Sequence, residues 1–460
     1  MTERIDDVTK PVRGAKQRPT PRWVGWFLIA TPTLAAAGPL WGAGPWTTFR
    51  AAVAVLFLTA AWDWWRFQDR SRTFFTMLGV GIAFQLSGLL ALAWSKPPSD
   101  AAWHELLGVG LLFALAVALV QLYRTAETVL TIARGWLYMA VLLEVVNLWE
   151  VATGGRLSNF YLAADRRDTP GWSDIAGPFS TPSELAAVFV MAAIVMAVGW
   201  SLEHDRRLRW AYIAVCVPMP YFLWRTGSTL GLLLFVAVVV CWLAVYSWGR
   251  RIGIALLAVV IVALPQGRSS LVAFGTQIGS LFGGATDANF SAGDAFNLLR
   301  DGAVLLVRST WMGVGPAGFP YAMTTHSTPY FTHGVVAPHS AIVEIASQYG
   351  IGMFVLVTLV GIGLAKWAID RLRRTTRQPL RGAPRIIAMW TLVVALMWPL
   401  LSMLGPTYLD QSAAALFVAT VAMWARHIER PLGRKVRPSE VALRNLPPAP
   451  APAAQPNEES

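Results

Sequence analysis

The sequence of 460 residues is poor in charge and in cysteine. Only 14% of the residues are charged, whereas 55% are hydrophobic, and the mean hydropathy is +0.49. A soluble protein of this length needs more charge on its surface, so the composition excludes a soluble enzyme and indicates a membrane protein with many spans. The two cysteines, Cys216 and Cys241, fall inside apolar runs, so neither a disulfide framework nor a cysteine zinc site is predicted.

The sequence also lacks the alternating ten-residue segments of an outer-membrane barrel. Its apolar runs are long and unbroken, and a helix needs about 20 such residues to cross about 30 Å of hydrocarbon. The runs therefore predict an all-α, polytopic membrane bundle of about 12 transmembrane helices. They are centred on residues 33, 55, 84, 112, 139, 192, 216, 238, 258, 359, 395 and 418.

Basic residues are distributed unevenly over the loops of this topology. The N-terminus, alternate loops and the C-terminal tail hold 29 of the 38 Lys and Arg residues, which places both termini in the cytoplasm. The net charge of +12 is explained by this orientation and by contact with anionic membrane lipids, so no nucleic-acid partner is predicted. Arginine far outnumbers lysine and alanine is abundant, which indicates a GC-rich bacterial genome and location in the bacterial plasma (inner) membrane.

The topology divides the chain into three regions. We predict a basic cytoplasmic N-terminus (1-22), a transmembrane domain (23-425) and a disordered, proline-rich cytoplasmic tail (426-460). Two outer segments are long: 153 to 181, and the large extracytoplasmic loop 266-338 between spans 9 and 10. Neighbouring spans need much shorter connections, so function is expected in these two segments.

A short helix is predicted from His339 to Tyr349, ending at Gly350 and leading into span 10. An imidazole at the outer end of a membrane helix is suited to act as a general base on a lipid-held substrate near neutral pH. The alternative is an interfacial histidine that hydrogen-bonds a loop carbonyl, and the spacing alone favours this alternative. Glu344 lies about 140° round the helix from His339, on the face of Ser340, so it is a poor orienting partner for the imidazole.

Two arginines stand on a predicted helix in the large loop. Arg300 and Arg308 are two helical turns apart on neighbouring faces, an arrangement that can clamp a diphosphate through charge-assisted, bidentate bonds. The alternative is pairing with Asp294 or Asp301 on a solvated helix.

The string Gly313-x-Gly315-x-x-Gly318 follows these arginines and matches a dinucleotide-binding fingerprint. No strand is predicted before it and Pro316 interrupts it, so we reject that function. We interpret the segment as a turn that carries the preceding helix away from the membrane.

Two further outer sites are predicted around spans 6 to 8. Thr181 as N-cap, Pro182 at the first helical position and Glu184 three residues after the cap form a capping box, and the same helix N-terminus is suited to a phosphate. Arg225, in the hairpin before span 8, is either a phosphate contact or a snorkelling interfacial residue.

Polar residues at three-residue spacing mark one face of span 5, which is predicted to look inward. Of these residues, Glu144 is the candidate for function. Asn147 lies between it and Glu150, which is predicted to reach the outer surface.

In their order along the chain, these motifs resemble the O-antigen ligase family, which includes O-antigen-polymerase-like enzymes. The resemblance covers residues 170-365 and rests on Gly177-x-Phe179-x-x-Pro182, the Gly227-Ser228 turn, Trp311-x-Gly313-x-Gly315-Pro316 downstream of an arginine, and His339-Ser340 followed by Gly350.

The resemblance implies a metal-independent glycosyltransferase that needs no cofactor. Such an enzyme transfers a glycan from a polyprenyl diphosphate carrier to a lipid, glycan or protein acceptor on the outer face of the inner membrane. Direct attack of the acceptor hydroxyl on the anomeric carbon inverts its configuration. Asp165 and Asp168 are split by two arginines, so no metal clamp for the diphosphate is predicted.

Carried onto this sequence, the resemblance makes His339 the catalytic base and Arg300 a ligand of the diphosphate. The family usually has a basic residue directly after the serine of the span-8 motif, where this chain has Thr229. Arg225, one turn upstream, is therefore the candidate for that contact. Arg308 is a further diphosphate candidate, and Ser340, Ser228 and Glu144 are possible supporting residues.

Three other functions are weighed against this one. Other polyprenyl-dependent membrane glycosyltransferases place an acidic residue in the first outer loop, but Gly42 to Arg50 contains none. A peptidoglycan polymerase of the shape and division class has a comparable outer loop, but its motifs are not visible. A lipid or polysaccharide transporter predicts repeated halves with interrupted helices and needs no loop of this length.

Overall fold

The computed structural model describes residues 22–37, 42–43, 46–67, 71–157, 175–179, 181–244, 293–325, 328–330, 332, 336–375, 382–405, 407, 409 and 411–429. These residues are almost entirely helical. One antiparallel pair of two-residue strands, β1 (Gly42–Ala43) and β2 (Trp46–Thr47), precedes the second helix.

Most helices follow the apolar runs of the sequence, whereas α10 and α11 lie in the predicted outer loop. They are α1 (Arg22–Ala37), α2 (Thr48–Phe67), α3 (Arg72–Ala91), α4 (Ser99–Leu122), α5 (Ala126–Thr153), α6 (Pro182–Leu202), α7 (Arg206–Cys216), α8 (Met219–Arg225), α9 (Thr229–Ala244), α10 (Gly293–Arg308), α11 (Gly318–Thr324), α12 (Ala341–Arg374), α13 (Ala383–Leu401) and α14 (Ser412–Glu429).

The helical class predicted from the sequence is confirmed, whereas the number of spans is confirmed only in part. Within the described ranges, six helices are long and apolar enough to cross a membrane: α3, α4, α5, α6, α12 and α13. The span predicted around residue 216 is interrupted between α7 and α8, where Pro218 lacks the amide that a continuous helix needs. The span predicted around residue 258 lies outside the described residues.

Helix α6 lies at the centre of the packing, since 89% of its most apolar stretch of 18 residues is buried. Small residues let its neighbours approach closely. A Cβ on Gly199 would lie 2.8 Å from the Tyr212 hydroxyl, and one on Gly231 would lie 3.1 Å from the Ala186 side chain. These glycines bring α7 and α9 against α6, as small residues do at helix contacts in membranes.

The polar contacts that hold the loops lie at the two opposite ends of the helical bundle. Helix α5 joins the two, because Arg134 near its start pairs with Glu203, whereas Glu150 near its end binds the amide of Gly177. Glu150 lies sixteen positions after Arg134 on the helix, which corresponds to about 24 Å along its axis. We call them the Glu203 end and the His339 end, since His339 lies two residues before the start of α12.

Helix α14 runs four residues beyond the predicted end of the transmembrane domain at 425. Its last residue, Glu429, accepts hydrogen bonds from the Ser71 hydroxyl (2.7 Å) and the Arg72 amide (2.7 Å). The carboxylate thereby caps the N-terminus of α3, where free amide groups favour a negative charge.

Candidate functional site

The His339 end is organised around a break in α12. At Gly350 the backbone adopts φ 85°, which interrupts the regular hydrogen bonds of the helix. The segment that follows α10 supplies hydrogen-bond partners for the backbone amide and carbonyl groups that the break leaves free. The bonds run from Val314 N to Ser347 O (2.8 Å), from Gly315 N to Gln348 O (2.9 Å) and from Ile351 N to Trp311 O (3.0 Å).

Two glycines make this docking possible. A Cβ on Gly313 would lie 2.4 Å from the carbonyl oxygen of Gln348, and one on Gly350 would lie 2.7 Å from that of Met312. Both glycines have positive φ, which other residues rarely adopt. The predicted turn around Gly313 therefore binds back onto α12.

A buried carboxylate that sequence reasoning missed holds the same junction from α4. Glu105 is 9% exposed and accepts hydrogen bonds from the Ala317 amide (2.8 Å) and from the Tyr349 hydroxyl (2.8 Å). The Trp94 indole also donates to the Gly313 carbonyl (2.9 Å). An acidic residue inside an apolar run was the signal that could have found Glu105.

Helix α10, which carries Arg300, packs against the first turns of α12. A Cβ on Gly302 would lie 2.5 Å from the Val343 side chain, so the two helices are in close contact there. Arg300 is exposed, and its guanidinium carbon lies 5.4 Å from the centroid of the Tyr330 ring. The Tyr330 amide in turn donates to Asp301 (3.3 Å). This bond fixes the loop segment around Tyr330 on α10.

Asp301 is close to Arg308, the second arginine of α10. Burial raises the pKa of Asp301, and the bonds from Tyr330 and Thr328 together with the charge of Arg308 offset this only in part. Arg308 is therefore near enough for its charge to act on Asp301. The side chain of Asp294, the other predicted partner, lies outside the described residues.

His339 lies just before α12 and not in its first turn. The predicted helix start at His339 is two residues too early, because Ser340 has the extended backbone of an N-cap (φ −163°). His339 itself has φ 46° and is half-buried. A non-glycine residue held in this region costs about 1–2 kcal/mol, and such residues concentrate at functional sites. Glu344 and Ser340 are both buried one turn apart, as their predicted common face requires.

A second cluster at the same end contains the motif that precedes α6. Glu150 is 3% exposed and accepts from the amides of Ala176 (3.1 Å) and Gly177 (2.9 Å), so its predicted exposure at the outer surface is wrong. The backbone carbonyl of Arg225 accepts from the Ile175 amide (3.3 Å). This bond places Arg225, which is half-buried, beside the Gly177 segment.

Two of the predicted motif residues cap helices. The Ser228 hydroxyl accepts from the Gly231 amide (3.1 Å) at the start of α9. The Thr181 hydroxyl accepts from the Glu184 amide (3.3 Å), which confirms the predicted N-cap of α6. Both hydroxyls hence stabilise helix N-termini.

The polar face of α5 contains buried atoms with unused hydrogen-bonding capacity. Among the described residues, neither amide atom of Asn147 has a hydrogen-bond partner, although the side chain is fully buried. One carboxylate oxygen of Glu144, Oε1, is buried in the same way. Asn147 adjoins Gly177, since a Cβ there would lie 3.1 Å from its Oδ1.

The described residues contain no group of three His, Cys, Asp or Glu side chains that could hold a metal ion. His326 and His333 lie outside them. Comparison of the chain with protein-family models finds no match, and comparison with curated proteins finds none either.

Proposed function

We propose that the protein is a membrane glycosyltransferase. It transfers a glycan from a polyprenyl diphosphate carrier to an acceptor hydroxyl, as a ligase or polymerase of cell-surface polysaccharide. The proposal rests on the motif resemblance together with the arrangement of the His339 end.

One observation carries the proposal: α10 and α12 are in direct contact at Gly302 and Val343. Arg300 lies two residues before one contact point, and His339 lies four residues before the other. A base and a cation from separate motifs therefore stand on adjoining elements, as base-assisted transfer from a diphosphate requires.

In the proposed reaction, His339 accepts the proton of the acceptor hydroxyl. The oxygen of that hydroxyl forms a bond to the anomeric carbon. The bond from that carbon to the diphosphate oxygen breaks, and the lipid diphosphate leaves with the electron pair. Arg300, assisted by Arg308, stabilises the charge on the leaving group. Attack from the opposite face inverts the anomeric centre.

Arg225 is proposed as a further diphosphate contact from the second cluster, in place of the basic residue that the family has at Thr229. The unused polar atoms of Glu144 and Asn147 are suited to hydroxyl groups of the substrate, since unpaired buried polar groups are costly unless a partner arrives. Ser228 supports the start of α9 in this scheme, and Ser340 occupies the N-cap position of α12 beside His339.

We further propose that the chain crosses the bacterial inner membrane about twelve times, with both termini in the cytoplasm. The uneven distribution of Lys and Arg supports this orientation. The Glu203 end is then cytoplasmic, and the His339 end faces the outer side, where the acceptor is found.

A transporter is the second candidate, because two apolar stretches are interrupted. Pro218 separates α7 from α8, and Gly350 breaks α12. Interrupted helices near the middle of the bilayer commonly line transport sites. The break at Gly350 has its freed groups bonded to the Trp311–Gly315 loop, which favours the enzyme.

The test is glycan transfer by purified protein in lipid nanodiscs, with the polyprenyl diphosphate glycan that accumulates when the protein is depleted from cells. His339→Ala should lower transfer by about 100-fold or more, the usual scale for loss of a general base. His104→Ala is the matched control, since His104 is an exposed histidine near the start of α4 at the same end and should cost little. Added EDTA should leave the rate unchanged.

Parental rates in the His339→Ala protein would remove the base assignment. Loss of transfer with EDTA alone would require a metal. Movement of the lipid-linked glycan across vesicle membranes without any transfer would favour the transporter.

A further inference from the structure

Helix α10 has an apolar stripe on its exposed side that the proposed reaction does not use. Leu299, Ala303 and Val307 follow one another at four-residue spacing, and Leu299 and Val307 are 50% and 56% exposed. The opposite side of the helix, including Leu298 and Leu305, is buried against the bundle. A helix that is buried on one face and still exposes a second apolar face has a partner for that face.

The stripe continues onto the lipid-facing side of a candidate transmembrane helix. Trp311, 53% exposed, follows the end of α10, and its carbonyl accepts the Ile351 amide (3.0 Å) just past the break in α12. From Ile351 the exposed apolar side chains of α12 continue through Val355 and Leu359. The apolar surface of α10 and that of α12 therefore meet at the break in α12.

The charged residues of α10 fit the same environment. Arg300 borders the stripe, and Arg308 lies about 80° further round, next to Asp301. Arginines beside an apolar stripe reach lipid phosphates while their methylene groups stay in apolar contact. Trp311 at the junction has the amphipathic ring that is enriched at membrane interfaces.

We propose that α10 is an interfacial helix, which lies on the leaflet that α12 enters and inserts Leu299, Val307 and Trp311 among the lipids. The partner of the exposed apolar stripe is the bilayer itself, and lipid phosphates lie at the level of Arg300. This goes beyond the proposed transfer reaction, because it assigns a membrane-binding surface to the loop and does not depend on any substrate.

The test uses single-cysteine proteins in which Cys216→Ala and Cys241→Ala remove the native thiols. Leu299→Cys and Val307→Cys report on the stripe, and Thr324→Cys is the matched control, since Thr324 is an exposed polar residue of the same loop on α11. Each is labelled with an environment-sensitive fluorophore in nanodiscs of phosphatidylcholine and phosphatidylglycerol, and its melting temperature is compared with that of the parent.

We expect blue-shifted emission at positions 299 and 307, and quenching by nitroxide-labelled lipid about twofold or more above that at position 324. Iodide in the water should instead quench the fluorophore at position 324 most. Equal iodide quenching at all three positions would overturn the proposal, because the stripe then lies in water. Protection of positions 299 and 307 from both quenchers would overturn it as well, because protein then covers the stripe. No substrate is added, so the result is separate from the outcome of the transfer assay.

Discussion

The two ends of the bundle satisfy their charged groups in different ways. At the Glu203 end, carboxylates pair with arginines: Arg134 binds Glu203 (2.9 Å) and Arg124 binds Asp63 (2.6 Å), while Glu203 and Glu429 also accept from the nearby amides of His204 and Arg72. At the His339 end, two buried carboxylates accept the amides of loop residues, Glu105 that of Ala317 and Glu150 that of Gly177. Binding to amides fixes the course of the loops themselves, whereas ion pairs join helices that are already formed.

Backbone strain distinguishes the ends further. In the part of the chain that the structure describes, the non-glycine residues with positive φ are Thr310, Trp311, Ala317 and His339, all of them at the His339 end. Strained backbone persists only where the surrounding contacts hold it in place. The described residues of the Glu203 end therefore keep a relaxed backbone, whereas the His339 end keeps a costly conformation of the kind that concentrates at functional sites.

The largest effect on stability is expected from adding a methyl group at Gly313, in the turn that binds α12. Gly313→Ala places a Cβ 2.4 Å from the Gln348 carbonyl at φ 85°, so we expect a loss of at least about 2 kcal/mol in the free energy of unfolding. Gly352→Ala is the control two residues after the break, where nothing lies within 4 Å, and should be neutral or stabilise the helix by up to about 1 kcal/mol. Thermal unfolding in nanodiscs measures both.

Equal stability of these two variants would mean that the turn does not bind α12, and the contrast between the two ends would lose its main support. Transfer activity of Gly313→Ala, measured on the folded fraction, should fall as well, because the turn fixes α10 and its arginines against α12.

A smaller effect is expected for a change that keeps the charge of α10. Arg300→Lys should lower transfer about tenfold, since an ammonium does not reproduce the planar fork on a diphosphate. Arg308→Lys should be tolerated better, because Arg308 also acts on Asp301. Both variants should unfold at the parental temperature. Equal rates in the two variants would mean that the arginines do not have distinct roles.

Much of the helical framework could be predicted, because it depends on local patterns. The cap at Thr181 and the break at Gly350 are both read from residue types in sequence. The interruption at Pro218 was missed, since the run around it is apolar throughout and only the ring of proline gives a signal.

The construction of the site could not be predicted to the same extent. Glu105 binds Ala317 and Tyr349, which lie 212 and 244 residues further along the chain. Glu150 reads as a surface residue until the Gly177 segment folds over it. Such contacts are properties of the tertiary structure, and residue spacing does not contain them.

The smallest effect concerns the Glu203 end and its dependence on pH. Burial alone raises the pKa of Glu203, but the bond from the Arg134 guanidinium and those from the Asp205 and His204 amides outweigh it, so the pKa lies below its usual value. A lowered pKa in the folded state means that the carboxylate adds stability above the unfolded value of about 4.3. This contribution is lost as the pH falls through the folded pKa.

Glu203→Gln should therefore lower the free energy of unfolding by about 1 kcal/mol at pH 7.5, because the neutral amide binds the Arg134 guanidinium less well. The difference from the parent should shrink as the pH falls below about 4.3, where the unfolded carboxylate takes up its proton first. Asp100→Asn, at an exposed carboxylate in the first turn of α4, controls for loss of one negative charge. Transfer per folded molecule should stay at the parental level, because the Glu203 end takes no part in the proposed reaction. A loss of transfer without a loss of stability would show that the two ends are coupled, and the division of the bundle into a stable end and a working end would then be wrong.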